Sequence, residues 1–360
     1  MKELRLMKGN EAIAEGAIRA GMDGYFGYPI TPQSEVLEHL MAVKPYETTG
    51  MVVLQAESEV ASINMLYGGA ACGKMVMTSS SSPGISLMQE GISYMAGAEL
   101  PCLLVNVVRG GPGLGTIQPS QSDYFQSVKG GGHGDYKLIT LAPASVQEMY
   151  DHAQLGIDLA FKYRNPVIIQ SDGAIGQMME KVVISEQRPR RSFEEIVKTC
   201  PWATTGKTPD RERNIATSLE LDSAKQEMVN HKIQKKYREI EKNEVLFEAI
   251  HTEDAEYLFV AYGVSARICQ KAIQLGREKG MKIGLLRPIT LYPFPTEEIK
   301  RLSQQVKGIL SVEMSAGQMI EDIKLATECK IKVEHFGRLG GIIPSPEEIL
   351  EALNQKIIGG

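Results

Sequence analysis

MVVLQAESEVASINMLYGGAACGKMVMTSS, residues 51–80, reads as strand, helix, strand. MVVLQA (51–56) and KMVMTSS (74–80) are short apolar runs, and the residues between them, 58–72, carry helical spacing. The same unit repeats outward. PCLLVNVV (101–108), YKLITLA (136–142) and NPVIIQSD (165–172) are further apolar runs, separated by helical stretches such as 85–97 and 145–162. Their hydrophobicity is continuous, not alternating, which predicts buried strands of a parallel sheet covered by helices on both faces. The fold class is therefore α/β.

Composition changes after this region. Residues 186–252 hold Pro, Thr and Gly clusters and a strongly charged helix, LDSAKQEMVNHKIQKKYREIEKN, and predict a linker with a connecting helix. From 253 the alternation resumes with AEYLFVAYG, MKIGLLRPIT, KGILSVEM and IKVEHFG as strands. The expected organisation is a first domain over 1–185, the linker over 186–252 and a smaller α/β domain over 253–360.

At 360 residues, 43% hydrophobic and 23% charged, the chain has material for two ordinary cores. A net charge of −5 without a dominant basic run argues against nucleic acid as a partner, and the acidic surface offers no attachment to a membrane. No apolar run approaches the ~20 residues that span a bilayer, and the N-terminus lacks the features of a signal peptide. A cytoplasmic location is the expectation. Five scattered cysteines, none in CxxC spacing, suit reduced thiols and leave any iron–sulfur cluster to another chain.

Several stretches carry candidate chemistry. Ser58 is placed to cap the helix after 58, leaving Glu57 and Glu59 at its positive end, either as dipole partners or as a carboxylate held at a strand-to-helix turn. RGGPGLGTIQP (109–119) is glycine-rich but lacks the dinucleotide spacing, and no phosphate-binding GxxxxGK[ST] occurs. It does put Arg109 at a strand's carboxyl end, where a guanidinium grips a carboxylate as well as it serves a surface ion pair. SSSSPG (79–84) offers hydroxyls and backbone N–H groups, or simply a turn. His133 is the only histidine in a glycine-rich loop, and no spaced His/Cys/Asp set predicts a metal or a hydrolytic triad. In GYPITPQSE (27–35) two prolines flank Thr31, so that Thr31 or Ser34 reads locally as a helix cap and Pro32 as a first helical residue.

Taken together, GYPITPQSE, QAESEVASINMLYGGA (55–70), TSSSSPGISLMQEGISYMAGAELP (78–101), VNVVRGGPG (105–113) and GLLRPITLYPFP (284–295) resemble, in one order along nearly the whole chain, the α subunit of 2-oxoacid:ferredoxin oxidoreductases. The resemblance is to the multi-subunit enzymes for 2-oxoisovalerate or 2-oxoglutarate more than to the pyruvate enzymes. It implies a thiamine diphosphate-binding domain of the pyrimidine type, followed by a transketolase C-terminal-like domain. It also implies coenzyme A as acyl acceptor, ferredoxin as electron acceptor, and β, γ and ferredoxin-like δ subunits. Mg2+ and a 4Fe-4S cluster are expected on those partners, since the cofactor's diphosphate motif is missing here: Gly134-Asp135 is followed by Tyr136, and Asp172-Gly173 has no suitable Asn downstream. The isolated chain is expected to form a homodimer. Carried onto this sequence, Glu59 matches the acid that bonds N1′ of the pyrimidine, because related helices put it nine residues before a glycine, here Gly68. Thr31 and Arg109 match the groups that hold the 2-oxoacid, with Tyr28 as pocket wall and Ile30, Ser82 and Gly84 as cofactor contacts. A pyruvate ferredoxin oxidoreductase subunit, another thiamine enzyme of the transketolase or oxoacid dehydrogenase type, and a partner that only scaffolds a complex are the alternatives.

Overall fold

A computed structural model describes residues 3–207, 209 and 211–359. In chain order the strands are β1 (Glu3–Lys8), β2 (Gly24–Gly27), β3 (Val52–Gln55), β4 (Val76–Ser80), β5 (Leu103–Val108), β6 (Ile139–Leu141), β7 (Val167–Asp172), β8 (Met179–Ile184), β9 (Phe247–Ile250), β10 (Tyr257–Val260), β11 (Ile283–Pro288), β12 (Thr290–Tyr292), β13 (Gly308–Val312) and β14 (Val333–Phe336). Among the described residues they form three sheets. The largest has the order β12-β6-β7-β5-β4-β2-β3 and is parallel except for β12. A second has the order β14-β13-β10-β11-β9, parallel except for β9, and β1 pairs with β8 in an antiparallel ribbon.

The continuous apolar runs account for the sheet interior. Every residue of β4, β5 and β7 is buried, with helices on both faces. On one side Ile63 and Leu66 of helix Glu59–Ala71 pack with Ile85, Met88 and Ile92 of helix Ser82–Gly97. On the other, helix Gly9–Arg19 lies against helix Val146–Tyr163 so closely that a Cβ on Gly16 would stand 2.3 Å from the Tyr150 carbonyl. MVVLQA departs from the expectation of a buried strand. It forms the edge strand β3, with Val52 and Leu54 each 41% exposed.

The second sheet begins inside the stretch expected as linker, because β9 pairs with β11. MKIGLLRPIT, read as one strand, is two: β11 stays in the second sheet while β12 crosses to pair with β6 of the first. Helix Thr296–Ser303 follows, with Pro295 at its capping position. Gln121 stitches the two units together: its side chain donates to the Tyr262 carbonyl (2.8 Å) and accepts from Ser265 Oγ (2.7 Å) and Met314 N (3.0 Å). Arg287 adds a buried ion pair, bonded to Glu148 at 2.7 and 2.9 Å and to Glu248 at 2.8 Å. Parallel pairing brings the carboxyl ends of β2, β3, β4, β5 and β7 to one edge, where ligands of such sheets bind.

Candidate active site

Four of those strand ends deliver the candidate residues to one place. The chain leaving β2 turns at Tyr28–Gln33, and side-chain amides hold the turn. Gln33 Nε2 donates to the Tyr28 carbonyl (3.1 Å), while Ser79 Oγ donates to Gln33 Oε1 (2.6 Å). The Pro32 carbonyl accepts from Asn10 Nδ2 (2.7 Å) and Gln177 Nε2 (3.3 Å). Helix Ser34–Val43 starts after this turn with Gln33 at the capping position and no side-chain cap, so neither Thr31 nor Ser34 caps it and Pro32 lies ahead of its first turn. Thr31 itself is exposed, Ile30 half-buried, and Tyr28 36% exposed beside it.

Leaving β3, the chain enters helix Glu59–Ala71, whose cap is Ser58 as its spacing predicts: Ser58 Oγ accepts from Ala61 N at 3.1 Å. Glu59 is the first helical residue and is buried at 6% exposure, whereas Glu57 is exposed. Among the described residues no hydrogen bond reaches the Glu59 carboxylate. After β4 the chain turns at Ser81 into helix Ser82–Gly97. A Cβ on Gly84 would stand 2.0 Å from Ser80 Oγ and 2.5 Å from Glu59 Oε1, so glycine is what admits the carboxyl group between the two helix starts. Ser80 Oγ and Ser81 Oγ are buried there without a partner. Buried polar atoms without partners are uncommon in proteins, and a cluster of them marks a place built for something else to bond.

Arg109, at the end of β5, is 8% exposed and its Nη1 donates to the Thr31 carbonyl at 2.9 Å. Its backbone N–H donates to Ser82 Oγ (3.1 Å), and that hydroxyl approaches the Arg109 carbonyl at 3.3 Å. Nε remains buried and unpartnered. The arrangement therefore brings Thr31 to Arg109, Arg109 to Ser82, and Glu59 to Ser80 and Gly84. His133 stands apart. It meets Tyr94 edge-on at 5.8 Å and lines a separate cleft of about 570 Å³ with Tyr136 and Thr217.

Sequence reasoning missed most of the residues that hold the site from behind, Asn10, Gln33, Asn106, Asp123 and Gln177, whereas Ser79 lay within the hydroxyl-rich stretch 79–84. One signal was readable, Asn106 as a lone polar residue inside LLVNVV; the others converge only through the topology. Among the described residues no three His, Cys, Asp or Glu side chains come together as a metal set, and no helix is long and apolar enough to cross a membrane.

Comparison with known proteins adds independent findings. Residues 15–245 match the family model described as pyruvate flavodoxin/ferredoxin oxidoreductase, thiamine diP-bdg, and residues 255–349 match pyruvate:ferredoxin oxidoreductase core domain II. The ketoisovalerate oxidoreductase subunit VorB of Methanothermobacter marburgensis is 50% identical over 351 residues, covering 98% of this chain and 97% of that protein. The 2-oxoglutarate synthase subunit KorA of Archaeoglobus fulgidus is 35% identical over 359 residues, covering 99% and 100%. A structure of 2-oxoglutarate:ferredoxin oxidoreductase from Magnetococcus marinus, with 2-oxoglutarate, coenzyme A and succinyl-CoA bound, superposes with a TM-score of 0.85 at 28% identity. It covers 99% of this chain, which spans 66% of that one. A split-gene transketolase shares the fold, with a TM-score of 0.60 at 10% identity.

Proposed function

The chain belongs to the thiamine diphosphate-dependent 2-oxoacid:ferredoxin oxidoreductases as an α subunit, and from that membership we propose that it binds a branched, apolar 2-oxoacid of the 2-oxoisovalerate type at the Thr31–Arg109 edge. The family's reaction is oxidative decarboxylation of a 2-oxoacid with electrons passed to ferredoxin. Coenzyme A is proposed as the acyl acceptor, as in the Magnetococcus enzyme's bound state.

The convergence of Glu59, Gly84, Thr31 and Arg109 carries this reading. The residues present fit an aminopyrimidine: a carboxyl group at 6% exposure that takes no hydrogen bond among the described residues, two unpartnered serine hydroxyls, and a glycine that leaves room between them. When bound, thiamine diphosphate supplies a carbon nucleophile and an electron sink for the decarboxylation. In the proposed arrangement Glu59 holds a proton against the pyrimidine N1′. Arg109 takes the substrate carboxylate, exchanging or sharing its bond to Thr31, and the Thr31 hydroxyl faces the oxo group. Tyr28 forms pocket wall, and Ile30, Ser82 and Gly84 lie against the cofactor.

Substrate preference follows from charge. The loop after Arg109, GGPGLGTIQP, contains no Lys, Arg or His, and exposes Leu114 and Ile117. A 2-oxoglutarate side chain would bring a second carboxylate there with no counter-charge, whereas an isopropyl group loses nothing. The identity to a ketoisovalerate subunit, 50% against 35% for a 2-oxoglutarate subunit, points the same way.

A partner chain is proposed to supply the diphosphate, Mg2+ and 4Fe-4S sites. Exposed Val52 and Leu54 on the edge strand β3, with Val60 next to Glu59 in sequence, offer that partner an apolar seat. The test is coenzyme A-dependent viologen reduction by the anaerobically purified complex. Expected are a kcat/KM for 2-oxoisovalerate at least about tenfold above that for 2-oxoglutarate, a difference of only ~1.4 kcal/mol, and loss of turnover in Glu59→Gln with the complex still assembled. Near-normal turnover in Glu59→Gln would remove the assignment of the acid, and a preference for 2-oxoglutarate would overturn the substrate reading.

A further inference from the structure

Strand β5 is apolar but for Asn106, which is wholly buried. A buried amide is costly unless both its ends are bonded. Both are. Asn106 Oδ1 accepts from Ser82 N at 3.1 Å, and Asn106 Nδ2 donates to Asp123 Oδ2 at 3.0 Å. The order of these bonds is not interchangeable. A backbone N–H only donates and a carboxylate only accepts, so Asp123 and Ser82 between them allow the amide one orientation.

The bonded chain continues beyond Ser82. Its hydroxyl holds the main chain of Arg109, and Arg109 Nη1 holds the Thr31 carbonyl. Ser82 also opens the helix whose third residue, Gly84, abuts Glu59. Asn106 therefore sits where the strand bearing Arg109 is tied to the helix facing Glu59. Ser80 and Gln170 flank Asn106 in register on β4 and β7, which makes a polar row toward the carboxyl edge of the sheet.

We infer that Asn106, oriented by Asp123, is a positioning residue: through Ser82 it fixes Arg109 relative to the Glu59 side of the site, so that the substrate carboxylate is presented at a set distance from the cofactor. This rests on the reading of Arg109 as the group that takes the 2-oxoacid carboxylate. The residue touches neither substrate nor cofactor, and its effect is expected in substrate affinity more than in turnover.

The donor–acceptor order supplies the experiment, run on the purified complex with 2-oxoisovalerate and coenzyme A. Asn106→Asp keeps the acceptor for Ser82 N but sets a second carboxylate against Asp123. It is expected to raise KM for the 2-oxoacid about tenfold, with kcat within about threefold and KM for coenzyme A unchanged, as loss of one charge-assisted contact predicts. Asp123→Asn alone is expected to be mild, since an amide at 123 can offer its oxygen to Asn106. Combining the two restores a donor opposite an acceptor, and KM is expected to return to within about threefold of wild type. An unmoved KM in Asn106→Asp, a double variant no better than the single one, or a parallel rise in both substrates' KM would overturn the inference. Should Asn106→Asp not assemble, Asp123→Ala decides: a rise in the 2-oxoacid KM supports the relay, and an unchanged KM overturns it. Failure of the function reading looks different, because the unmodified complex would then turn over no 2-oxoacid, and the relay would fall with it.

Discussion

Gly84 shows how one missing side chain makes the site. Its absent Cβ is the space into which the Glu59 carboxyl and the Ser80 hydroxyl both reach. Gly84→Ala should cost about 1–3 kcal/mol in over-packing, offset in part by ~1 kcal/mol of helix propensity. The expected outcome is a small change in thermal midpoint with at least a tenfold loss of turnover, roughly 1.4 kcal/mol in the barrier; a fully active variant would mean that Glu59 does not depend on this gap. At this scale Glu59, Thr31 and Arg109 stood out as candidates because each sits in a contiguous motif at a strand end, and the fold brings those strand ends to one edge. Gln33 and Asp123 were not. Gln33 looked like an ordinary helix-start residue until Ser79, 46 positions away, turned out to hold its amide. Asp123 stood in a polar loop whose contact with Asn106 only the folded chain creates.

Among the elements, helix Gly9–Arg19 has the clearest electrostatic signature. Burial pushes the Glu15 carboxyl up, but bonds from His39 and Arg19 and the charges of Arg5 and Arg19 outweigh it and hold the group at about 2, below its usual 4.5. A depressed carboxyl pKa stabilises the fold fully above the unfolded value and loses that contribution as the acid protonates. The urea midpoint should therefore fall between pH 4.5 and about 2, and Glu15→Gln should flatten that part of the curve. An unchanged slope would place the acid sensitivity elsewhere. Elements were largely legible in the sequence, since continuous apolar runs mark β4, β5 and β7 whatever surrounds them. The same pattern misled at β3, where an equally apolar run lies at the sheet edge. Composition alone does not distinguish burial by a helix from exposure to another chain.

At the level of the whole molecule, the two units share one apolar core, and a few buried polar contacts cross it. Gln121→Ala would leave Ser265 Oγ and Met314 N–H without their partner and the Tyr262 carbonyl with only the Ala266 N–H. With each unsatisfied buried group costing about 1–3 kcal/mol, a loss of at least ~2 kcal/mol is expected in denaturant unfolding, with the transition broadening as the units separate. A change below about 0.5 kcal/mol would show that apolar contact alone joins them. At this scale the sequence offers two α/β rhythms on either side of a charged stretch after 186, and the structure starts the second sheet inside that stretch, at β9. The crossing of β12 was not legible, because GLLRPITLYPFP reads as one strand followed by a turn, and nothing local says that the chain changes sheets at Ile289.

That crossing bears on how such a chain can be recombined. Thr290–Tyr292 belongs by position to the second unit and by pairing to the first. A chimera cut at the apparent junction near 250 would ask a foreign strand to complete β6 in the recipient. Exchange between relatives should therefore succeed when β6 and β12 travel together from one parent, so the heritable module is a pair of segments about 150 residues apart in place of a contiguous stretch.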